Sequence, residues 1–212
     1  MTISNNGENQ VLDEIFNAGA GTFPSADPYI SLHTADPGET GANEATGGSY
    51  ARQQTAFGAA ASGTLSNSGN IDFASMPAAT IVGWGVWDAV SAGNCFWTGW
   101  FSTVGRVGVV EAADLTNNDI TSPSHGFVAD DRVVLEQIEA ETTPVGLTAG
   151  TLYFVIATGL TSDIFRLATT SGGAAIDITA VGVGMFRLVT VKSTNSGDTL
   201  RIATGELDIF LD

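Results

Sequence analysis

Two histidines, one cysteine and 23 carboxylates are the side chains of this 212-residue sequence best suited to move protons, attack electrophiles or hold metals. His125 stands in a Ser-Pro-Ser-His-Gly turn, with Ser124 beside it and Asp130 close by, so the residue types of a hydrolase triad are present. Triad members are normally delivered by distant segments, and no Gly-x-Ser-x-Gly elbow occurs here; the stretch reads as a turn. His33 lies in a β-type run beside Leu32 and reads as a hydrogen-bonded strand residue. Asp36, Glu39 and Glu44 share one loop and offer oxygen ligands of the kind Ca²⁺ takes, but their spacing fits no known calcium loop. No Cys-x-x-Cys, His-Glu-x-x-His or phosphate-loop pattern is found, so no metal or cofactor is expected. Cys95 has no partner in the chain and reads as a small buried hydrophobe. Glycoside cleavage needs two carboxylates a few ångströms apart across a cleft, and nothing in the pattern singles out a pair. The expectation is a protein without catalytic activity.

Composition narrows the partners. Seven Lys and Arg against 23 Asp and Glu give a formal charge of −16. Phosphate backbones and anionic membrane surfaces are recognised by basic patches, which so few cations cannot build. Neither nucleic acid nor membrane is expected as a partner. Hydrophobic residues at 43% with only 14% charged exclude the composition of a disordered chain. No apolar run approaches the roughly 18 residues needed to span a bilayer. The first ten residues are polar and lack the basic and apolar regions of a leader, so synthesis in a reducing cytosol is expected.

One helix is predicted over Asn9–Ala18, where Val11, Leu12, Ile15 and Phe16 recur at helical spacing and Asn9 stands as the cap. The rest reads as short strands between turns, the pattern of a sandwich or barrel. Strands are predicted at Tyr29–Thr34, Tyr50–Phe57, Asn70–Ala74, Thr80–Asp88, Asn94–Phe101 and Thr199–Asp212. A turn-rich stretch, Ala35–Ser49, joins the first two. In a compact domain such a loop is either functional or held down by a neighbour. Side chains alternate across a strand, so Val82, Trp84 and Val86 share one face and Ile81, Gly83, Gly85 and Trp87 the other. Cys95, Trp97 and Phe101 correspondingly oppose Phe96 and Trp100. Both faces are apolar. One is expected in the core, the other under a second layer or another subunit, with the glycines leaving a trough that a cross-strand aromatic could fill.

The segments Tyr29-Ile-Ser-Leu-His-Thr-Ala-Asp-Pro-Gly38, Gly47-Gly-Ser-Tyr-Ala-Arg52, Met76-Pro-Ala-Ala-Thr80, Gly85-Val-Trp-Asp88 and Asn195–Asp212 resemble a family of tailed-bacteriophage virion proteins, labelled tail fibre-like or minor structural proteins. The resemblance covers about the first 104 and the last 22 residues. The intervening piece, near Gly105–Thr190, resembles a small β module that recurs inside phage structural proteins, with strands at Arg132–Ile138, Thr151–Ile156, Asp163–Ala168 and Met185–Val191. The expected fold is mainly β: an antiparallel β-sandwich with a short N-terminal helix, formed by residues 1–104 plus 191–212, and an inserted small β domain over 105–190. Two strands alone are marginal in water, so the last segment must pair upstream. The alternative is two consecutive domains split near Gly105.

The resemblance implies a virion structural protein. The first expectation is a capsid decoration, or cement, protein that binds the major capsid protein or other virion proteins on the outer shell and assembles as a homotrimer. The alternative is a tail-fibre or tail-tip component involved in host recognition. Candidate contact residues with partners or other copies are Trp84, Trp87, Trp97 and Trp100, together with Asp36, Pro37, Gly38 and Phe16. The N-terminal arm Met1–Gly21 and the loop Ala35–Ser49 are the expected capsid contacts.

Overall fold

Short β-branched and aromatic runs broken by turns leave the strands among the described residues only two to seven residues long. The computed structural model describes residues 2–4, 6–9, 11, 27–102, 105–112 and 114–210. The chain is mainly β and antiparallel, with a short helix near its N-terminus. It separates into two compact units, Met1–Trp100 with Val191–Asp212, and Phe101–Thr190.

The first unit opens with β1 (Thr2–Ile3), β2 (Tyr29–His33), β3 (Gln53–Gln54), β4 (Thr64–Ser66), β5 (Ile71–Phe73), β6 (Ala79–Ile81), β7 (Gly83–Trp87) and β8 (Cys95–Trp100). The helix occupies residues 6–9 and 11, earlier than predicted. Ser4 caps it: its hydroxyl accepts the Gly7 N–H at 3.1 Å, one of the amide donors a helix start leaves unpaired. Residues 10 and 12–18, with Leu12, Ile15 and Phe16, lie outside the described residues. Five strands form one sheet in the order β1-β8-β7-β2-β3. The predicted strand over Tyr50–Phe57 shrinks to Gln53–Gln54, and Thr64–Ser66 is a strand that the sequence pattern did not mark.

The second unit contributes β9 (Arg106–Val110), β10 (Ile120–Thr121), β11 (Arg132–Glu136), β12 (Leu152–Val155), β13 (Ile164–Phe165), β14 (Leu167–Ala168) and β15 (Gly182–Leu188). Their order is β13-β10-β9-β15-β11-β12-β14. Only Arg166 separates β13 from β14, yet they stand at opposite ends of that order. A single extended segment thus pairs with β10 on one side and β12 on the other. The sheet closes on itself as a six-stranded antiparallel barrel, which removes the unpaired edges an open sheet would expose. Phe127, Val133, Leu135, Tyr153, Val155, Phe165, Leu167 and Phe186 fill it. Phe165 meets Phe127 and Phe186 edge-on at 5.2 Å between ring centres, a favoured aromatic geometry. Of these strands, β9 and β10 were absent from the sequence prediction.

The chain then returns to the first unit through β16 (Lys192–Thr194), β17 (Leu200–Ile202) and β18 (Asp208–Phe210), which pair antiparallel with β6, β5 and β4. The first two of these short ladders share one register. Ile81 pairs with Lys192 and Phe73 with Leu200, eight residues further along on each side. Only beyond them does one extra residue enter, so that Ser66 faces Asp208. Asn67, buried near that slip, spans it: its amide donates to the Gly69 and Ala203 carbonyls and its oxygen accepts the Leu207 N–H at 2.9 Å. The Thr190 N–H donates to the Phe101 carbonyl at 2.6 Å, so the chain enters and leaves 101–190 at adjacent points.

Adjacent ends and separate cores lead to a testable outcome. Excising 101–190 and joining Trp100 to Val191 through a short Gly-Ser linker is expected to leave a folded first unit with a cooperative melting transition. A product with no dispersed amide NMR spectrum would show that the two units fold only together.

Candidate functional site

The loop between β2 and β3 folds back over the sheet, and the residues that do so are those of the Leu-His-Thr-Ala-Asp-Pro-Gly and Gly-Gly-Ser-Tyr-Ala-Arg stretches. Paired residues share a face. Ser31 and His33 of β2, Gly85 and Gly83 of β7, and Thr98 and Trp100 of β8 therefore line one side of the sheet. Pro37 lies over Gly83, and the Gly38 carbonyl accepts the Thr98 hydroxyl at 2.6 Å. Gly41, at φ 68°, brings its Cα against the Trp87 indole, where a Cβ would overlap the ring. The apolar face thought to need another layer or subunit is covered by this loop of the same chain. The trough at Gly85 is filled by Ser31, His33 and the Trp87 ring nitrogen rather than by a cross-strand aromatic. Trp84 does fill the space over its cross-strand partner Gly99.

Strict alternation fails at one point. Val86 faces Trp97 while the next residue, Trp87, faces Cys95, so Phe96 is an extra residue, a β-bulge. Cys95 therefore shares the face of Trp87, beneath Gly41, and not that of Trp97 as the alternation predicted. Burial pushes the Cys95 thiol up to about 12, which keeps it protonated and a poor nucleophile.

Arg52 sits at the centre. Its Nη2 and Nε donate to the two Glu44 carboxylate oxygens at 2.7 and 2.9 Å, a bidentate pair. Its Nη1 donates to the Ala92 and Ala89 carbonyls of the β7–β8 hairpin at 2.7 and 3.1 Å. The guanidinium carbon lies 3.5 Å from the Trp87 ring centre, a stacked cation–π contact. Tyr50 donates its hydroxyl to Glu44 at 3.1 Å, accepts the Leu32 N–H at 2.9 Å, and stacks its ring on Phe73. Burial raises the Tyr50 pKa, so it remains a donor. Asp88 closes the hairpin through the Asn94 N–H and side-chain amide at 2.7 and 2.8 Å.

A second chain of hydrogen bonds runs beneath. The Trp87 Nε1–H donates to Ser31 Oγ at 2.7 Å, and Ser31 Oγ lies 2.6 Å from His33 Nε2. His33 Nδ1 lies 2.6 Å from the Ala42 carbonyl, which can only accept, so Nδ1 carries the proton. In the neutral ring Nε2 is then bare and accepts the Ser31 hydroxyl. A second ring proton would leave that hydroxyl without an acceptor. Burial lowers the His33 pKa below its ordinary 6.5, against the pull of the Ala42 carbonyl and Glu44.

The other candidates separate. His125 accepts the Phe127 N–H on Nδ1 at 2.9 Å and packs its ring 5.1 Å from Phe127 and Phe165. Ser124 offers its backbone N–H to Asp163, and Asp130 accepts the Ser171 hydroxyl, so the three form no triad. Asp36 is held by the Gly38 N–H, and Glu44 is committed to Arg52 and Tyr50. Among the described residues no group of three or more His, Cys, Asp or Glu side chains is placed to share a metal ion. Trp84 and Trp87 are buried inside the unit, Trp97 and Trp100 are half-buried, Pro37 is buried, Asp36 half-buried and Gly38 exposed. Phe16 lies outside the described residues. Sequence reading passed over Arg52 as a motif member only. Its one distinguishing signal was a rare cation two residues after Tyr50 in a chain with seven Lys and Arg.

Fully partnered polar groups and a sealed sheet face are the marks of a structural element. A family model described as podophage GP4 fiber I protein gp80 matches residues 2–122, more than half of the chain, and the chain belongs to that family. It is a phage virion structural protein. No curated protein matches it.

Two outcomes follow from this geometry. Arg52→Ala strands Glu44 among buried partners and is expected to cost about 3 kcal/mol or more, read as a fall in the urea midpoint, with Arg52→Lys recovering only part because it lacks the fork. For His33 the folded pKa lies below the unfolded one. Stability is full above about pH 6.5 and falls at lower pH, by at most about 1.4 kcal/mol per pH unit, as the unfolded chain takes up a proton that the folded one refuses. The difference in urea midpoint between about pH 7.5 and 5.5 should shrink in His33→Gln; an unchanged pH dependence would rule His33 out as its source.

Proposed function

We propose that this chain is a non-enzymatic fibre component of a tailed-phage virion, acting as a passive β-built block in which the first unit is the scaffold and the barrel of 101–190 is the presented part. The family description, fibre protein, is the observation that carries the reading. The internal arrangement supports it. The motif residues Ser31, His33, Glu44, Tyr50, Arg52 and Trp87 are bonded to one another, an arrangement that stiffens a scaffold and leaves none of them free for a substrate. Five of the seven cations pair with carboxylates, which leaves the outer surface strongly anionic and unsuited to packaged nucleic acid.

Capsid decoration is the second reading. It is favoured by the two compact units, which resemble discrete surface blocks more than segments of a shaft. In that case the major capsid protein is the partner. Copy number separates the two. Quantitative gels of purified virions are expected to show a few to a few tens of copies for a fibre component. Hundreds of copies would establish decoration instead.

A further inference from the structure

The loop that covers the sheet of the first unit is held down by polar ties more than by packing. Of residues 35–46 only Pro37, Gly41 and Ala45 are buried, and none of them brings a large apolar side chain. Segments with few buried apolar contacts open locally, ahead of the fold as a whole. The stretch leaves β2 at Thr34 and ends at Gly47 and Gly48, at φ 100° and 59°. At Gly48 a Cβ would strike the Ser75 carbonyl, and the Ser49 N–H donates to that carbonyl at 3.0 Å, which anchors the chain again before Tyr50 and Arg52.

Between those ends the Ala45 N–H donates to the Leu32 carbonyl at 2.8 Å, Thr98 donates its hydroxyl to the Gly38 carbonyl, and Glu44 receives the Arg52 fork. The tie from His33 is the one that a proton changes. Its Nδ1–H points outward to the Ala42 carbonyl, while Nε2 accepts inward from Ser31, whose oxygen already takes the Trp87 N–H. Closed, this chain of donors has room for one ring proton. Opened, the ring meets water, which solvates either form. Around the ring, Asp36 and Glu44 come from the loop and Arg52 from the segment after it, with the Tyr50 hydroxyl on Glu44. On this face β7 presents Gly83, Gly85 and Trp87, and β8 presents Thr98, Trp100 and the protonated thiol of Cys95. Burial lowers the His33 pKa and outweighs the Ala42 carbonyl and the two carboxylates, and Arg52 adds to the lowering.

We propose that residues 35–46 form an acid-released strap: a proton taken up by His33 frees the segment from the sheet and uncovers the face that holds Trp87 and Cys95, while the rest of the unit stays folded. The open form is a minor one at neutral pH. The open ring titrates at about 6.5 and the closed ring below it, so the opening equilibrium is level above about pH 6.5. Beneath that it rises by up to about tenfold per pH unit, until the closed form also takes the proton. The strap is independent of whether the protein stands on the tail or the head.

Cys95, the sole thiol of the chain, lies beneath Gly41 and reports the opening. The full chain is labelled with dithiodipyridine, which reacts with thiols in acid, and each rate is divided by that of the urea-unfolded chain at the same pH. For the wild type the ratio is expected to stay level between about pH 8 and 6.5 and to climb by up to about tenfold per pH unit below, with mild urea leaving it almost unchanged. His33→Gln should stay level throughout. A wild-type ratio that ignores pH overturns the proposal. So does an equal rise in His33→Gln, or a rate that urea accelerates as steeply as it drives global unfolding. Should His33→Gln not fold, amide exchange of the wild type decides. The Thr34 and Ala45 N–H groups, bonded to the Asn43 and Leu32 carbonyls, are expected to be less protected than the β7 amides and to lose protection below about pH 6.5. Protection equal to that of β7 would show that strap and sheet open only together, and overturns it.

Discussion

The first unit depends on where one guanidinium lies. Burying Arg52 is costly unless its donors are matched, and the match requires three separate pieces of chain to arrive together. Glu44 comes from the loop after β2, the Ala89 and Ala92 carbonyls come from the β7–β8 hairpin, and the Trp87 ring comes from the strand itself. None of these contacts can form alone without leaving the others unpaired. The loop is therefore locked onto the sheet as a unit.

The same lock holds the titratable motif residues. Ser31, His33 and Trp87 form a directed chain of hydrogen bonds that ends on the Ala42 carbonyl, and each donor has one use. Burial lowers the His33 pKa, and a second ring proton would leave the Ser31 hydroxyl without an acceptor. Cys95, carried beneath Gly41 by the bulge at Phe96, is protonated for the separate reason of burial. Groups that could titrate or attack are spent on rigidity, which suits a virion part that must persist rather than turn over.

The two units solve the problem of short strands differently. The barrel closes its sheet, so that every strand finds two neighbours and no edge is left. The first unit instead draws on chain from the far end: β16, β17 and β18 run beside β6, β5 and β4 in a register that changes by one residue only near Asn67. Three ladders of three residues would be weak separately. Following one another along the same two lengths of chain, they stabilise one another.

The residues themselves carried the β class, the antiparallel turns and the short helix near the N-terminus, because those features follow from composition and from spacing within a few residues. Strands such as Tyr29–His33 and Gly83–Trp87 were legible from alternating apolar residues and flanking turns. The helix start was misplaced because Ser4, four residues into the chain, supplied the cap that Asn9 had been expected to give. Tertiary structure alone decided which side of the sheet Cys95 joins, since a single bulged residue reverses alternation and leaves no local signature. It also decided that Arg52 meets a hairpin 37 and 40 residues away, and that Ile164–Ala168 closes a barrel. Those outcomes rest on pairings between distant segments, whose partners are chosen by burial and hydrogen-bond completion over the whole unit and not by any stretch of sequence read on its own.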